Sequence, residues 1–512
     1  MEWAQSPAPR DQLVLISQSL DEVIAADHLV RLVDDFLASL DWGPWEACYL
    51  RRRGQPPIHP ARVAGAILYG MILRIRSSRA LEDATRHRTD FMWLLSGRTI
   101  DHSTFAAFRT RHGEQLKGLN GQISHALVTG SRTAQSQAAL ELILDGTRVR
   151  ANSDRHGART AKGIEKLQAA CTEQLDKALE QLTAGDAHQE QIEALHHQVE
   201  QLKRKSAKYR RALEKAHERD AAKRAIEGKG ARAVRVPLSD SDAAILPNKE
   251  GGFAPNYTPT ATIEAHSGAI VSSRLVTGGD ECQAIEPALE DCQQILGKPP
   301  DRISADGGFA SGPHLEKIES RGTRAYIPVG PDPRTNPACR PDPTQPVPEE
   351  QWPDLPRTKT QLANAAFIYD AHSDTYHCPM GHPLTFQKSA RYSRTGKPYR
   401  VYACPGRAHC PLAAQCIKSA KATHRTINRD EHQDLRDTIA QRMASDEGRA
   451  IYARRAPGIE GVFGFIKQSL GVRQFLLRGF EKVQTEWDWV RGAYNLRRQI
   501  ALMHSKRVQA MA

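Results

Sequence analysis

The sequence predicts an α/β protein: a mixed sheet flanked by helices, with an all-α N-terminal domain, a helical coiled-coil insertion and a small cysteine-rich insertion. Three observations lead there. Residues 1–130 carry apolar residues at helical spacing, residues 155–228 carry a proline-free heptad rhythm, and from Thr258 onward short β-rich runs give way to alternating strands and helices. A chain of 512 residues exceeds one compact core, so two or three domains are expected. Lys and Arg total 71 against 59 Asp and Glu, and the net charge of +12 favours a polyanionic partner, for which nucleic acid is the usual candidate. No run of 18 apolar residues occurs, so no membrane span is expected. The N-terminus lacks the charged start and apolar core of a signal peptide, which points to a cytoplasmic location. Nine cysteines, scattered but for one late cluster, argue against a secreted disulfide framework.

In the N-terminal part, His59 to Ile75 is opened by Pro60 and places Val63, Ile67, Met71 and Ile75 on one face, which predicts a helix. A second helix is expected over Arg79 to Arg88. A third follows, with Asp101 or Ser103 as its cap, Phe105 and Phe108 inward, and Arg109 and Arg111 outside. Short successive helices ending in arginines suit a helix-turn-helix-like DNA-binding unit. Between 155 and 228, Ile192, Leu195, Val199, Leu202, Ser206, Tyr209 and Leu213 form a heptad seam that Cys171, Leu175, Ala178 and Leu182 extend upstream. Gly185-Asp186 breaks it, so an antiparallel hairpin is expected to turn there.

Residues 258–276 read as two strands joined at His266-Ser-Gly268, and Glu281 to Leu296 as a helix with Ile285, Leu289 and Cys292 on one face. A strand from Arg302 to Asp306, a helix from Pro313 to Ser320 and a strand from Thr323 to Val329 complete the mixed sheet. Ten prolines from Pro328 to Pro356 mark a linker leaving it. Asp240 and Asp242, in a serine-rich loop, read as surface caps, and Glu281 as a first-turn acid of its helix.

Asp145 closes the apolar run Leu140–Leu144, and Asp306 closes Arg302–Ala305; each is followed by glycine, which lets the chain turn and a phosphate backbone approach. Carboxylates at strand ends face the open rim where ligands of α/β folds bind. Two of them, joined by an acid from a helix, can hold two divalent cations about 4 Å apart, the arrangement that serves phosphodiester chemistry. The third acid is Glu460, in Tyr452-Ala-Arg-Arg455-Ala-Pro-Gly-Ile-Glu460 through Lys467; Pro457 and Gly458 suit a helix start, and Glu460 and Lys467 fall on one side of the helix.

This pattern resembles the DDE transposases of bacterial insertion sequences, whose RNase H-like domain carries an Asp, an Asp followed by Gly, and a Glu within a Tyr-x2-Arg-x3-Glu-x6-Lys motif. Asp145, Asp306 and Glu460 match the catalytic positions, and Tyr452, Arg455 and Lys467 the accessory ones, with four residues rather than three between Arg455 and Glu460. The run Phe475 to Lys482, then Trp487, Trp489 and Asn495-Leu-Arg-Arg498, resembles the C-terminal helices of the family. The resemblance implies a helical DNA-binding domain over 1–130, an RNase H-like catalytic domain from 135–330 and 431–505, a coiled-coil hairpin over 155–228 inserted in it, and a Pro-rich linker with a cysteine-rich insertion over 331–430. It implies DNA strand cleavage and transfer with Mg²⁺ or Mn²⁺ held by the three acids, double-stranded DNA as partner, and a homo-oligomer on DNA. The alternatives are a non-catalytic DNA-binding descendant and a nuclease that cuts without joining.

Arg473, Arg478, Lys482 and Arg491, with Lys467, are expected to follow DNA phosphates, and Arg109, Arg111, Tyr452 and Arg455 are further DNA-binding candidates. Cys378, Cys404, Cys410 and Cys416 each sit in a turn, three of them followed by proline. Four such soft ligands suit a tetrahedral structural Zn²⁺ site with no open position for water, with His382 or His409 as substitutes for one cysteine. Related transposases carry a similar insertion.

Overall fold

The computed structural model describes residues 19–49, 56–132, 139–183, 189–228, 230–248, 251–276, 281–393, 396–405, 410–417 and 422–511. The chain divides into two compact units, one made of residues 1–127, 466–472 and 481–512, the other of residues 128–465 and 473–480.

The first unit is helical. Helix α1 (Pro60–Ile72) begins with proline at its first position, and the His59 ring accepts a hydrogen bond from the Ala61 amide at 3.2 Å. Val63, Ile67 and Met71 are buried as predicted. Ile75 falls outside the helix, because Arg74 takes a left-handed conformation and the Ile75 amide turns back to the Gly70 carbonyl. Ser77 caps α2 (Ser78–His87), and Asp101, not Ser103, caps α3 (His102–Arg111), accepting from the amides of Ser103 and Thr104. Phe105 and Phe108 are buried, and Trp45 stacks on Phe108 with ring centroids 5.3 Å apart.

Arg109 departs from its expected place. It lies four residues after Phe105 on the same inward face, is only 7 % exposed, and donates to the Arg76 carbonyl. Arg111 alone of the pair is exposed. Arg491, on the long C-terminal helix Phe480–Met511, is likewise buried and donates to Ser124 Oγ at 3.0 Å. The same helix is bound through Glu486 to Arg76 and through the Asp488 carbonyl to Asn120.

The second unit is built on a sheet of strands β1 (Glu141–Gly146), β2 (Phe253–Glu264), β3 (Ile270–Val276), β4 (Arg302–Ser304) and β5 (Arg324–Tyr326), in the order β3-β2-β1-β4-β5. β3, β2 and β1 pair antiparallel; β1, β4 and β5 pair parallel. Leu142, Ile143 and Leu144 are all buried, so β1 is covered on both faces, which explains its unbroken apolar run. The strand over 302–306 is shorter than predicted and ends two residues before Asp306.

Between β1 and β2 the chain extends as two helices, α4 (Ala161–Thr183) and α5 (Gln189–Glu227). They pack antiparallel: Cys171 Sγ reaches the Leu202 carbonyl at 3.5 Å, and Glu165 lies 3.7 Å from His217. Ile164, Cys171 and Ala178 meet Val199, Leu202, Tyr209, Ala212 and Ala216 in one apolar seam. The expected break at Gly185-Asp186 lies outside the described residues. At the base, Arg219 donates to the carbonyls of Asp242 and Ala243. Asp240 is buried rather than a surface cap, because Tyr257 Oη and the Gly479 amide both donate to its Oδ1. The Asp242 carboxylate accepts from the Phe480 amide.

Helix α6 (Ile285–Leu296) buries Ile285, Leu289 and Cys292, and α7 (Gly312–Ser320) buries Leu315 and Ile318. Beyond β5 the proline-rich stretch is no free linker. Ala338, Val347 and Leu355 are buried together with Leu384, Tyr402 and Ile427, so this stretch supplies part of the core of a five-stranded antiparallel sheet running from Ile368 to Asp430. Sequence alone missed this because proline signals a break in regular structure, not exposure. Among the described residues no helix is long and apolar enough to cross a membrane.

Candidate active site

Parallel pairing of β1 with β4 sets Leu142 beside Ile303 and Ile143 beside Ser304, so the segments leaving the two strands emerge on the same rim. Asp145 and Asp306 stand there, both half-buried. Asp145 Oδ1 accepts from the Gly146 amide at 2.8 Å, and its Oδ2 pairs with Arg455 at 3.0 Å. Burial pushes the Asp145 carboxyl above the usual carboxylate range, Arg455 opposes that rise, and the negative charge of Asp306 adds to it. Asp306 Oδ1 accepts from the Gly308 amide at 2.8 Å, which fixes the carboxylate at the start of a short turn.

A third acid joins them, and it is Glu281. Its carboxyl is pushed up to about 7, first by burial and then by repulsion from Asp145 and Asp306, with Arg148 opposing. The Glu281 carboxylate occupies the space beside Gly146: a Cβ added there would fall 2.3 Å from Glu281 Oε2. Next to it, the Cys282 thiol donates to the Gly308 carbonyl at 3.2 Å, tying the entry of α6 to the loop that carries Asp306. The sequence reading treated Glu281 as a first-turn acid. The available signal was Gly146 itself, a missing side chain directly after the first aspartate.

Glu460 sits on α8 (Arg455–Gln468). Ile459, Val462, Phe463 and Ile466 form the buried face of this helix, and a Cβ added at Gly458 would fall 3.1 Å from Ile143 Cδ1, so the glycine relieves that contact. Glu460 is on the exposed side, and no hydrogen bond or ion pair of its carboxylate is found among the described residues. The structure thus brings Asp145, Asp306 and Glu281 together, and places Glu460 five residues, or about 7.5 Å of helix rise, beyond the arginine that grips Asp145. Arg455, expected at DNA, is committed to that acid and lies 5.6 Å from the Tyr452 ring centre. Tyr452 and Lys467 are half-buried, and Arg473 and Lys482 exposed. Arg478 is exposed too, but its guanidinium donates to the backbone carbonyl and side chain of Asn152.

The four cysteines of the late cluster also converge. Burial, and then the other three thiols, push Cys416 up to about 12, with Arg425 opposing; Cys378 is raised by burial and by Cys404 and Cys410. Gly381 closes the turn after Cys378 at φ +79°, with the Thr344 carbonyl so near that no Cβ fits. His382 is exposed, and His409 lies outside the described residues. Among the described residues no group of three or more His, Cys, Asp or Glu side chains is set as a finished metal cage.

Two family models match the chain: a transposase DDE domain over residues 377–500, which includes Glu460, and a transposase domain known as DUF772 over residues 18–111, which includes α1, α2 and α3. Both matches support a DDE transposase of insertion-sequence type. No curated protein matches it. A general transposase role accords with the basic balance of the chain.

Since Arg455 holds Asp145 toward ionisation, Arg455→Gln is expected to raise the pKa of the Asp145 carboxyl. A carbon-detected NMR titration reads this directly; an unchanged or lower value would show that the ion pair does not set the charge of that acid.

Proposed function

We propose that the chain cuts phosphodiester bonds at the ends of an insertion sequence and joins the freed 3'-hydroxyls to target DNA, using Asp145, Asp306 and Glu460. The observation that carries this reading is the pairing of β1 with β4, which sets Asp145 and Asp306 close enough to repel each other at one rim. The strand order β3-β2-β1-β4-β5, with only the last three parallel, supports an RNase H-like core. On this reading residues 135–330 and 431–505 form the catalytic domain, 1–130 the DNA-binding domain, 155–228 a coiled-coil insertion and 331–430 a cysteine-rich one.

The donor set fits a hard divalent cation. Half-buried carboxylates that repel one another are stabilised when a cation arrives, and all are oxygen ligands. Mg²⁺ or Mn²⁺, bound by Asp145, Asp306 and Glu460, supplies Lewis-acid stabilisation of the charge that develops on phosphodiester oxygens. The chain does the positioning. Arg455 and the Gly146 amide orient Asp145, the Gly308 amide orients Asp306, and the same pair of ionised carboxylates serves cleavage and joining, because both displacements pass through a similar pentavalent phosphorus. Glu281 adds a third acid to the rim and strengthens the pull on a cation. Exposed Arg111, Arg473 and Lys482 hold the DNA backbone, and pairing of two DNA ends calls for at least a dimer in the cytoplasm, where the DNA lies.

The cysteine insertion is read as a structural Zn²⁺ site of Cys378, Cys404, Cys410 and Cys416. Burial and the neighbouring thiols disfavour ionisation of Cys378 and Cys416 unless a cation compensates, and a four-thiolate set matches zinc. Purified protein is expected to carry about one zinc per chain by elemental analysis, falling on Cys404→Ser substitution; metal-free, well-folded protein would contradict this assignment.

Asp145→Asn, Asp306→Asn and Glu460→Gln should each abolish strand cleavage while leaving DNA binding nearly intact. Glu281→Gln should instead raise the Mg²⁺ concentration needed for half-maximal cleavage about tenfold or more. Normal cleavage in one of the first three variants would remove that residue from the site. Joining of pre-cut ends separates a transposase from a nuclease that only cuts.

A further inference from the structure

The α4–α5 hairpin has already satisfied its apolar seam, so its outward faces are not held by any need to bury carbon. Along α5 runs the segment Lys203-Arg-Lys-Ser-Ala-Lys-Tyr-Arg-Arg211, six cations in nine residues with no acid. Lys203, Arg204, Lys205, Lys208, Arg210 and Arg211 are all exposed. Several cations of the hairpin have a local acid partner: Lys177 with Glu173, Lys203 with Glu200, Lys215 with Glu218, Lys223 with Glu227 and Arg224 with Asp220. Arg204, Lys208 and Arg211 are of the other kind. Among the described residues none of them has a carboxylate within ion-pair distance, although acids are abundant on both helices.

Their spacing decides the geometry. Positions 204, 208, 211 and 215 follow steps of four, three and four, so these four side chains lie on one stripe of the helix, turned away from the seam residues Leu202, Tyr209 and Ala216. The stripe is about 16 Å long at the rise of an α-helix. A DNA duplex carries one phosphate charge per about 1.7 Å of its axis, so a stripe of this length faces several phosphates at once. Arg204, Lys208 and Arg211, exposed and without a local acid, repel each other and cost stability in the free protein, whereas Lys215 at the end of the stripe is shared with Glu218; a polyanion turns that cost into attraction.

We propose that this stripe, Arg204, Lys208 and Arg211 with Lys215 at its end, is a docking surface for the phosphate backbone of double-stranded DNA, separate from the acid-lined rim. It rests on the reading of the chain as a DNA-processing enzyme. The contact is independent of sequence, because nothing in the stripe offers a planar pair of groups to a base edge at fixed geometry. It serves to hold the flanks of a bound duplex, not to choose the cleavage point.

The test is equilibrium binding of the full-length protein to a linear duplex across a salt series, comparing wild type with Arg204→Gln/Lys208→Gln/Arg211→Gln. Glutamine keeps helix propensity, and an unchanged melting curve verifies the fold. Loss of three phosphate contacts should shallow the slope of log affinity against log salt by about 2.7, with a matching fall in affinity at low salt and retained cleavage of duplex once it is saturated. A slope equal to wild type, in protein that binds DNA, overturns the stripe and leaves the active-site reading standing. A change of sedimentation mass with an unchanged slope would also overturn it and assign the surface to a second copy of the chain. Wild type that binds no duplex at all overturns both readings.

Discussion

The rim depends on a parallel pairing only three residues long. Glu141, Leu142 and Ile143 run beside Arg302, Ile303 and Ser304, and this brief register brings together two acids that are remote in the chain. Glu141 reinforces it from the side: its buried carboxylate accepts from Arg302 at 2.9 Å and from Arg454 at 2.7 Å. One acid therefore ties β1, β4 and the start of α8 together. Removing only one partner of such a buried set leaves an uncompensated charge, which typically costs about 3–5 kcal/mol. A pair of strands this short needs that kind of lock.

The electrostatics of the rim follow from the same placement. Parallel strands put their carboxylates on one side, and burial, with neighbouring like charge, raises the pKa of Asp145 and Glu281. The chain sets two arginines against this, Arg455 on Asp145 and Arg148 on Glu281. The rim remains short of positive charge, an arrangement that suits an arriving cation better than it suits the free protein. Strain of this sort is tolerated where function calls for it.

Much of the fold was legible in the sequence. The helix over 60–72 was marked by proline at its start and apolar steps of four, and the strand pair over 258–276 by the turn at His266-Ser-Gly268, although the first strand already begins at Phe253. The hairpin helices were readable because a heptad seam is a repeated local signal. What stayed hidden depended on the third dimension. Arg109 and Arg491 look like surface cations in sequence, yet each falls on an inward stripe and finds an oxygen there. The proline-rich stretch joins a core that lies mainly downstream of it. Asp145 and Asp306 could be singled out by the glycines after them, whereas Glu281 is one more acid at a helix start until the fold sets it beside Gly146. Glu460, expected from its motif as the third acid, lies on the exposed side of a helix anchored to the rim through Arg455.

The most direct test of a shared cation site is the anomalous signal of Mn²⁺ in crystals of the protein bound to DNA. The account expects a peak within about 2.2 Å of carboxylate oxygens from both Asp145 and Asp306, with Glu460 drawn toward it. Crystals that show DNA seated on the rim and no manganese between those two aspartates would contradict it.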